Sequence, residues 1–415
     1  MERGKVRVFV VNRYFYPDES ATSQLLTDLL FALAALGHDV HVICCRQLYG
    51  RPEARLAARE TVRAVRVHRI WSTRFGRRHL VGRALDYLTF HVACAVTLVR
   101  QLRPRDIVIA MTDPPLISIV AAAAVKWKRG ILVNWLQDVF PEVATRLGAS
   151  PLPALLDGVL RRLRDASLRS AGANVVLGSR MAEYLQARGL EARRMHVIEN
   201  WADADAVRPK PAADSILRQQ LGLGDQFVAG YSGNLGRAHE YQTLLAAAEA
   251  LRGEQSITFL FIGGGHNMEA LQVEVAQRGL SQVRFLPYQP RESLEDSLAA
   301  ADVHLVCLIP ALEGLIVPSK FYGILAAGRP VVFIGDPDGE LARVTTAARC
   351  GCTIATGQGL DLAAALLSLR DDGAQREAMG LAARQLLSER YATGHAVRKW
   401  VDLLRAVQPP SGHIS

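Results

Sequence analysis

The run Val6-Arg-Val-Phe-Val-Val11 is followed by a polar loop, Asn12–Ser20, and by helix signals from Ala21 to Leu36. Gly37 and a second apolar run, Val40–Cys44, complete the stretch that decides the fold. Valine-rich runs of this length have the β-branched character of buried strands. Gly37 suits a helix stop. Two parallel strands need a crossover between them, so strand, loop, helix and strand predict a parallel, doubly wound sheet. The rhythm recurs at Ile107–Met111, Ile131–Trp135, Ala173–Leu177 and Met195–Ile198. Asp203–Asp214, with Pro209 and Pro211 and no hydrophobic period, reads as a linker. A second series follows at Phe227–Tyr231, Thr258–Ile262, Val283–Leu286, Val303–Leu308 and Val331–Ile334, and a last helix lies around Gly394–Val407. The expectation is an α/β protein of two Rossmann-like domains, residues 1–205 (with the final helix, 394–410) and 206–393. The strand carboxyl ends would open onto a cleft between them.

The chain has 415 residues, half of them hydrophobic and 21% charged, which suits a protein with large cores. Its six cysteines form no C-x-x-C pair, so neither a zinc site nor a disulfide framework is indicated, and a reducing cytoplasm fits. Met1–Lys5 leads directly into a strand, without the apolar stretch of a signal peptide. Charge is unevenly placed: the first 105 residues hold 18 Lys/Arg against 8 Asp/Glu, although the whole chain carries only +9. Between Thr61 and Leu85 stand Arg63, Arg66, Arg69, Arg74, Arg77, Arg78 and Arg83, with no acid among them. The apolar run Tyr87–Val99 follows and is too short to span a bilayer, which needs about 20 residues. Three readings of region 61–100 stay open: an anionic membrane surface, nucleic acid, or a solvated basic face over a buried helix. Nucleic acid is disfavoured, because no stacking aromatics or known reader motif accompany the arginines.

Three segments could hold a phosphate. Tyr231-Ser-Gly-Asn-Leu-Gly-Arg237 carries Gly233, Asn234 and Gly236 after a strand, and Arg237 adds a charged fork. Phe261-Ile-Gly-Gly-Gly265 follows the next strand and contains Gly264. Pro318-Ser-Lys-Phe-Tyr-Gly-Ile-Leu-Ala-Ala-Gly-Arg-Pro-Val-Val332 reads as turn, helix, glycine stop and strand. Ser319 suits a cap there, and Lys320 falls in the first turn, where a helix attracts anions. None of the three matches G-x-G-x-x-G or the P-loop, which disfavours a dinucleotide dehydrogenase and an NTPase. In the first half, Asn12–Ser20 carries Tyr14, Tyr16, Asp18 and Glu19 ahead of a helix capped by Ser20 or Thr22. Asp138 and Glu142 stand at another strand end, where side chains facing the cleft belong. Asp203-Ala-Asp205 and Asp336-Pro-Asp338 read as turns rather than metal ligands.

In order along the chain, several segments resemble glycosyltransferase family 4. They are Tyr14-Phe-Tyr-Pro-Asp-Glu, Thr112-Asp-Pro-Pro-Leu, Trp135-Leu-Gln-Asp-Val-Phe-Pro-Glu, Val197-Ile-Glu-Asn-Trp-Ala-Asp, Tyr231-Ser-Gly-Asn-Leu-Gly and Pro318-Ser-Lys. The bacterial branch that builds surface polysaccharides is the nearest in look. The resemblance implies the two-Rossmann GT-B fold, with the last helix crossing back to the first domain. It also implies a retaining, metal-independent transferase that uses a nucleoside-diphosphate sugar as donor, UDP-sugar favoured over GDP-sugar, and no further cofactor. Arg237, Lys320, Gly233, Asn234, Gly236, Gly264 and Ser319 would hold the diphosphate, and Gly339 with Glu340 would face the sugar. Tyr16, Asp18, Ser20 and Thr22 would bind the acceptor, a glycan on a polyprenyl diphosphate, and Asp138 would act on its hydroxyl. Peripheral contact through 61–100 would put the protein on the inner face of the cytoplasmic membrane. The family's two paired glutamates fall on Leu315 and Gly323 here, with Glu313 out of register. A UDP-sugar 2-epimerase on the same fold and a non-catalytic sugar-nucleotide-binding subunit are the alternatives.

Overall fold

The computed structural model describes residues 6–51, 53–76, 80–148 and 154–408. The chain forms two compact units, residues 1–199 with 394–415, and residues 200–393.

The first unit is built on eight strands: β1 (Arg7–Val11), β2 (Asp39–Cys45), β3 (Arg59–Val62), β4 (Val65–Ile70), β5 (Ile107–Ala110), β6 (Ile131–Trp135), β7 (Ala173–Val176) and β8 (Met195–Val197). Their order in the sheet is β3-β4-β2-β1-β5-β6-β7-β8, and all pairs are parallel except β3 with β4. The chain reverses its direction of travel across the sheet between β1 and β5, so the loops after these strands part and leave a crevice at their carboxyl ends. The helices before residue 200 are α1 (Ala21–Ala35), α2 (Leu80–Gln101), α3 (Ile117–Lys128), α4 (Glu142–Arg146), α5 (Ala154–Ser170) and α6 (Ser179–Gln186). Phe90, Cys94 and Leu98 of α2 join Ile117, Ala121 and Ala124 of α3 in one core against β1 and β5.

The sequence reading missed the β3–β4 hairpin, because it falls among the arginines. The basic strip is therefore not one surface. Arg69 is buried in β4, pairs with Glu60 and donates to the Tyr16 carbonyl at 2.8 Å. Arg66 pairs with Asp39 at 2.7 Å, and Arg63 lies over the Phe31 ring. Arg77 and Arg78 lie outside the described residues. Helix α2 has 22 residues, but among the described residues no helix is long and apolar enough to cross a membrane.

The second unit has six parallel strands: β9 (Phe227–Asn234), β10 (Ile257–Gly264), β11 (Val283–Leu286), β12 (Val303–Cys307), β13 (Val331–Gly335) and β14 (Gly351–Ala355). Their order is β11-β10-β9-β12-β13-β14, which places the reversal between β9 and β12. Strand β14 was not foreseen, because polar Thr353 and flanking Gly351 break its apolar run. The expected linker is no free tether. Arg384 donates to the carbonyls of Ala204 and Val207, Arg329 to that of Lys210, and Lys210 pairs with Asp296 at 2.6 Å. This fastens residues 204–210 into the second unit, and the division falls earlier, after Glu199. Both D-x-D pairs are turns closed by their own first carboxylate, Asp203 accepting from the Asp205 N–H and Asp336 from the Asp338 N–H.

The last helix, Thr393–Ala406, packs in the first unit. Its Trp400 ring meets Trp135 of β6 edge-on, with centroids 4.9 Å apart, and Lys399 pairs with Glu199 at 2.6 Å.

Candidate functional site

The carboxyl ends of β9 and β10 run side by side as far as the pairs Gly233–Gly263 and Asn234–Gly264. The backbones approach so closely there that a Cβ on Gly263 would lie 2.2 Å from the Gly233 carbonyl oxygen, and Gly263 also has φ +134°. Beyond the strands, the Leu235 N–H donates to the Gly264 carbonyl at 2.7 Å. Asn267 then holds the carbonyls of Gly236 and His239 at 3.2 and 3.0 Å. The two glycine-bearing segments thus form one braced ledge at the reversal point of the sheet. Strand β9 extends through Asn234, so Gly233 and Asn234 belong to the strand rather than to the loop after it.

The third segment reaches this ledge. The helix Lys320–Ala326 ends in two bonds that enclose its last carbonyls, Gly328 N–H to Leu325 and Arg329 N–H to Ile324, with Gly328 at φ +62°. Ser319 precedes the helix without capping it: its backbone is already helical, and its hydroxyl accepts no bond from the first turn. The Lys320 ammonium sits 3.5 Å from the centroid of the Tyr231 ring and 3.5 Å from the Asn234 carbonyl oxygen. Burial pulls its pKa down to about 7. Beneath it, His239 shares a hydrogen with the Cys307 carbonyl through Nδ1 at 2.7 Å, and burial, reinforced by the Lys320 charge, pulls its pKa to about 3. With that ring neutral, Lys320 rather than His239 is the cation at this half-buried ledge. Arg237 stands exposed in the turn beyond it.

Glu313 is the residue that sequence reasoning set aside. Its carboxylate accepts from the Glu340 N–H at 2.8 Å, at the start of the helix Glu340–Ala348. Burial raises its pKa. Glu313 thus meets Gly339 and Glu340 without lying in the spacing that was anchored on the Ala-Ala-Gly-Arg-Pro run. The 3-10 turn Pro310–Leu312 and the loop to Pro318 bring it there, and no periodicity signals such a path. A Cβ on Gly323 would meet Leu298 Cδ1 at 3.9 Å, an ordinary packing contact.

In the first unit, Asp138 follows β6. Burial pushes its carboxyl up to about 6, against a hydrogen bond from Thr112. Its Oδ1 is buried without a partner among the described residues, and so is the Asn134 Oδ1. Both residues line a small recess of about 30 Å³ with Thr112, Ser118 and Arg164. Two unused acceptor atoms in one recess favour a ligand that brings hydrogen-bond donors. Glu142, expected at the same strand end, is instead buried and paired with Arg164 at 2.7 Å. Of the residues assigned to the acceptor, Asp18 is also buried. Its Oδ1 accepts from the Ser20 N–H at 2.9 Å and from the Ser20 hydroxyl, so Ser20 does not cap α1, while Oδ2 accepts from the Tyr49 N–H. This pair shapes the loop; Tyr16 is exposed and Thr22 half-buried. Arg13 was missed: it is buried between the Tyr14 and Tyr87 rings and is 3.5 Å from Asp86.

The comparisons with known proteins agree with this architecture. Residues 22–201 match the model of a glycosyl transferase 4-like domain, and residues 214–386 that of glycosyl transferases group 1. WbjE of Pseudomonas aeruginosa, named as a glycosyltransferase, is 28% identical over 65% of this chain and 68% of its own length. WcaI of Escherichia coli, whose name assigns it to colanic acid biosynthesis, is 26% identical over 82% of this chain and 85% of its own. The Anabaena HepE structure, solved with UDP-glucose, superposes with a TM-score of 0.74 at 16% identity, covering 96% of this chain and 99% of HepE. With two Rossmann-like units of the GT-B fold and both family models matched in order, this chain belongs to the glycosyltransferases.

Proposed function

We propose that this protein transfers a sugar from a nucleoside-diphosphate sugar, with UDP-sugar favoured, to a lipid-linked or other glycan acceptor in bacterial surface-polysaccharide synthesis, with retention at the anomeric carbon. The observation that carries the reading is the half-buried Lys320 beside the Gly233–Gly236 ledge. A diphosphate gains negative charge as the sugar–phosphate bond breaks, and a fixed cation with preorganised N–H donors stabilises that charge without a metal. Arg237 and the N–H groups of Gly233, Asn234, Gly236 and Gly264 would share the diphosphate, and Gly339, Glu340 and Glu313 would face the sugar. Tyr16 and Thr22 would meet the acceptor from the first unit. UDP-glucose in HepE and the polysaccharide role in the name of WcaI support the donor and the pathway class. Contact of region 61–100 with the inner face of the cytoplasmic membrane would bring the protein to a polyprenyl-diphosphate acceptor. Thermal unfolding in the presence of UDP-, GDP- and dTDP-sugars tests the donor. A cognate sugar nucleotide at 100 times its Kd adds about 2.7 kcal/mol, and no shift with any of them would refute the reading.

Asp138 would accept the proton of the acceptor hydroxyl. A base must be ionised, and burial holds this carboxyl at about 6. The rate should therefore rise with pH through about 6, and Asp138→Asn should abolish that acidic limb. The same limb persisting in Asp138→Asn would assign the proton to another group.

A further inference from the structure

We infer that the first unit docks on an anionic lipid surface through a two-helix footprint, in which the outer face of α5 is as essential as that of α2. The inference rests on the membrane contact proposed for region 61–100 and extends it to a segment outside that region. On α2, Phe90, Cys94 and Leu98 point into the core. Val81, Leu85, Leu88, Val92 and Val96 form an exposed stripe at helical spacing on the opposite side, with Val81 73% exposed. On α5, Arg164, Asp165, Ser167 and Leu168 are buried, and Leu155, Leu156, Val159 and Leu163 are exposed on the other face, Leu155 to 83%. Helix α3 lies between the two: it packs on α2 in the shared core, and its Ser118 accepts from Ser167 of α5 at 3.0 Å. Between the stripes α3 presents Ala123, with exposed Lys126 and Trp127 at its end. Nine aliphatic side chains turned to water on neighbouring helices exceed the scattered apolar residues of an ordinary surface.

Charge identifies the occupant. Arg100 of α2, Lys126 of α3, and Arg162 and Arg169 of α5 are exposed beside the stripes. The acids of these helices do not answer them: Asp86 and Asp165 are buried, and Asp157 is engaged by Arg161 at 2.6 Å. An aliphatic face rimmed by cations alone matches the acyl boundary and anionic headgroups of a bilayer. A second copy of this chain would bring like charges together across the contact.

Flotation of the full chain with phosphatidylglycerol-containing vesicles, and with pure phosphatidylcholine vesicles, tests this. The protein should float with the anionic vesicles and not with the neutral ones. The triple variant Leu155→Ser, Val159→Ser, Leu163→Ser should lower the bound fraction about tenfold or more, as should Leu85→Ser, Leu88→Ser, Val92→Ser on α2. Loss in the α2 variant with wild-type binding in the α5 variant would overturn the two-helix footprint and leave the 61–100 contact standing. No flotation of the wild-type protein, or wild-type flotation of both variants, would overturn both. A wild-type dimer that the α5 variant turns into a monomer, with flotation unchanged, would assign the face to a second copy instead. If the triple variant does not fold, Val159→Cys carrying an environment-sensitive fluorophore decides: a blue shift on anionic vesicles is expected, and an unchanged spectrum overturns the footprint.

Discussion

Lys320→Ala lowers the rate of sugar transfer by about 10²-fold, the usual cost of removing one fixed group that stabilises developing charge. Lys320→Met, which keeps the length of the side chain and loses its charge, gives the same loss with little change in thermal stability. The lysine is singular in this setting, because His239 beside it is held neutral and Arg237 is open to solvent. A pH signature accompanies the loss. Burial holds the free Lys320 at about 7, so the unliganded protein at pH 8.5 carries mostly the neutral amine. A bound diphosphate favours the ammonium and draws its pKa back towards the ordinary value of about 10.5. Nucleotide binding therefore takes up close to one proton near pH 8.5, and affinity falls as pH rises above about 7, by up to tenfold per unit. Calorimetry in two buffers of different ionisation heat reads that proton directly. Unchanged kinetics in Lys320→Ala, or uptake that persists in Lys320→Met, would remove the lysine from the diphosphate.

Trp400→Ala destabilises the first unit by about 3–5 kcal/mol, the range for deleting a fully buried aromatic side chain. Both Trp400 and Trp135 are completely buried, and their edge-on contact fastens the last helix to β6. The effect should be confined to one unit. In calorimetry the transition of the first unit moves down, while the transition of the second unit stays in place. A variant in which neither transition moves would show that the last helix contributes nothing to the core it covers.

How much of this was legible in the sequence follows from how local each signal is. Strands buried on both faces, such as β1 and β5, declare themselves as apolar runs, and the helix stop at Gly328 is written in one residue. The β3–β4 hairpin was hidden because Arg59, Glu60, Arg66 and Arg69 load a sheet edge with charge and drew a reading by charge instead. At the ledge, the glycines and Lys320 were readable, since close approach and an isolated cation each leave a residue-level mark. Glu313 was not, because its place depends on the path of a loop through residues 310–318. The burial of Asp18 and Glu142 was equally invisible, since a carboxylate that organises a loop and one that binds a ligand look alike until their partners, Ser20 and Arg164, are seen in space.

The last helix has a topological consequence. Since the segments on either side of residues 200–393 both belong to the first unit, residues 200–393 are an insertion in it, and the two ends of that insertion are in register: the Ala202 N–H donates to the Tyr391 carbonyl at 3.1 Å, and the Thr393 N–H to the Ala202 carbonyl at 3.3 Å. The entry and exit segments are thus joined by a single bridge between Ala202 and Ala392. The insertion is already almost a closed ring, and joining its ends by a few residues, or opening it elsewhere, would cost little loop entropy. The second unit is, in its connectivity, a cassette.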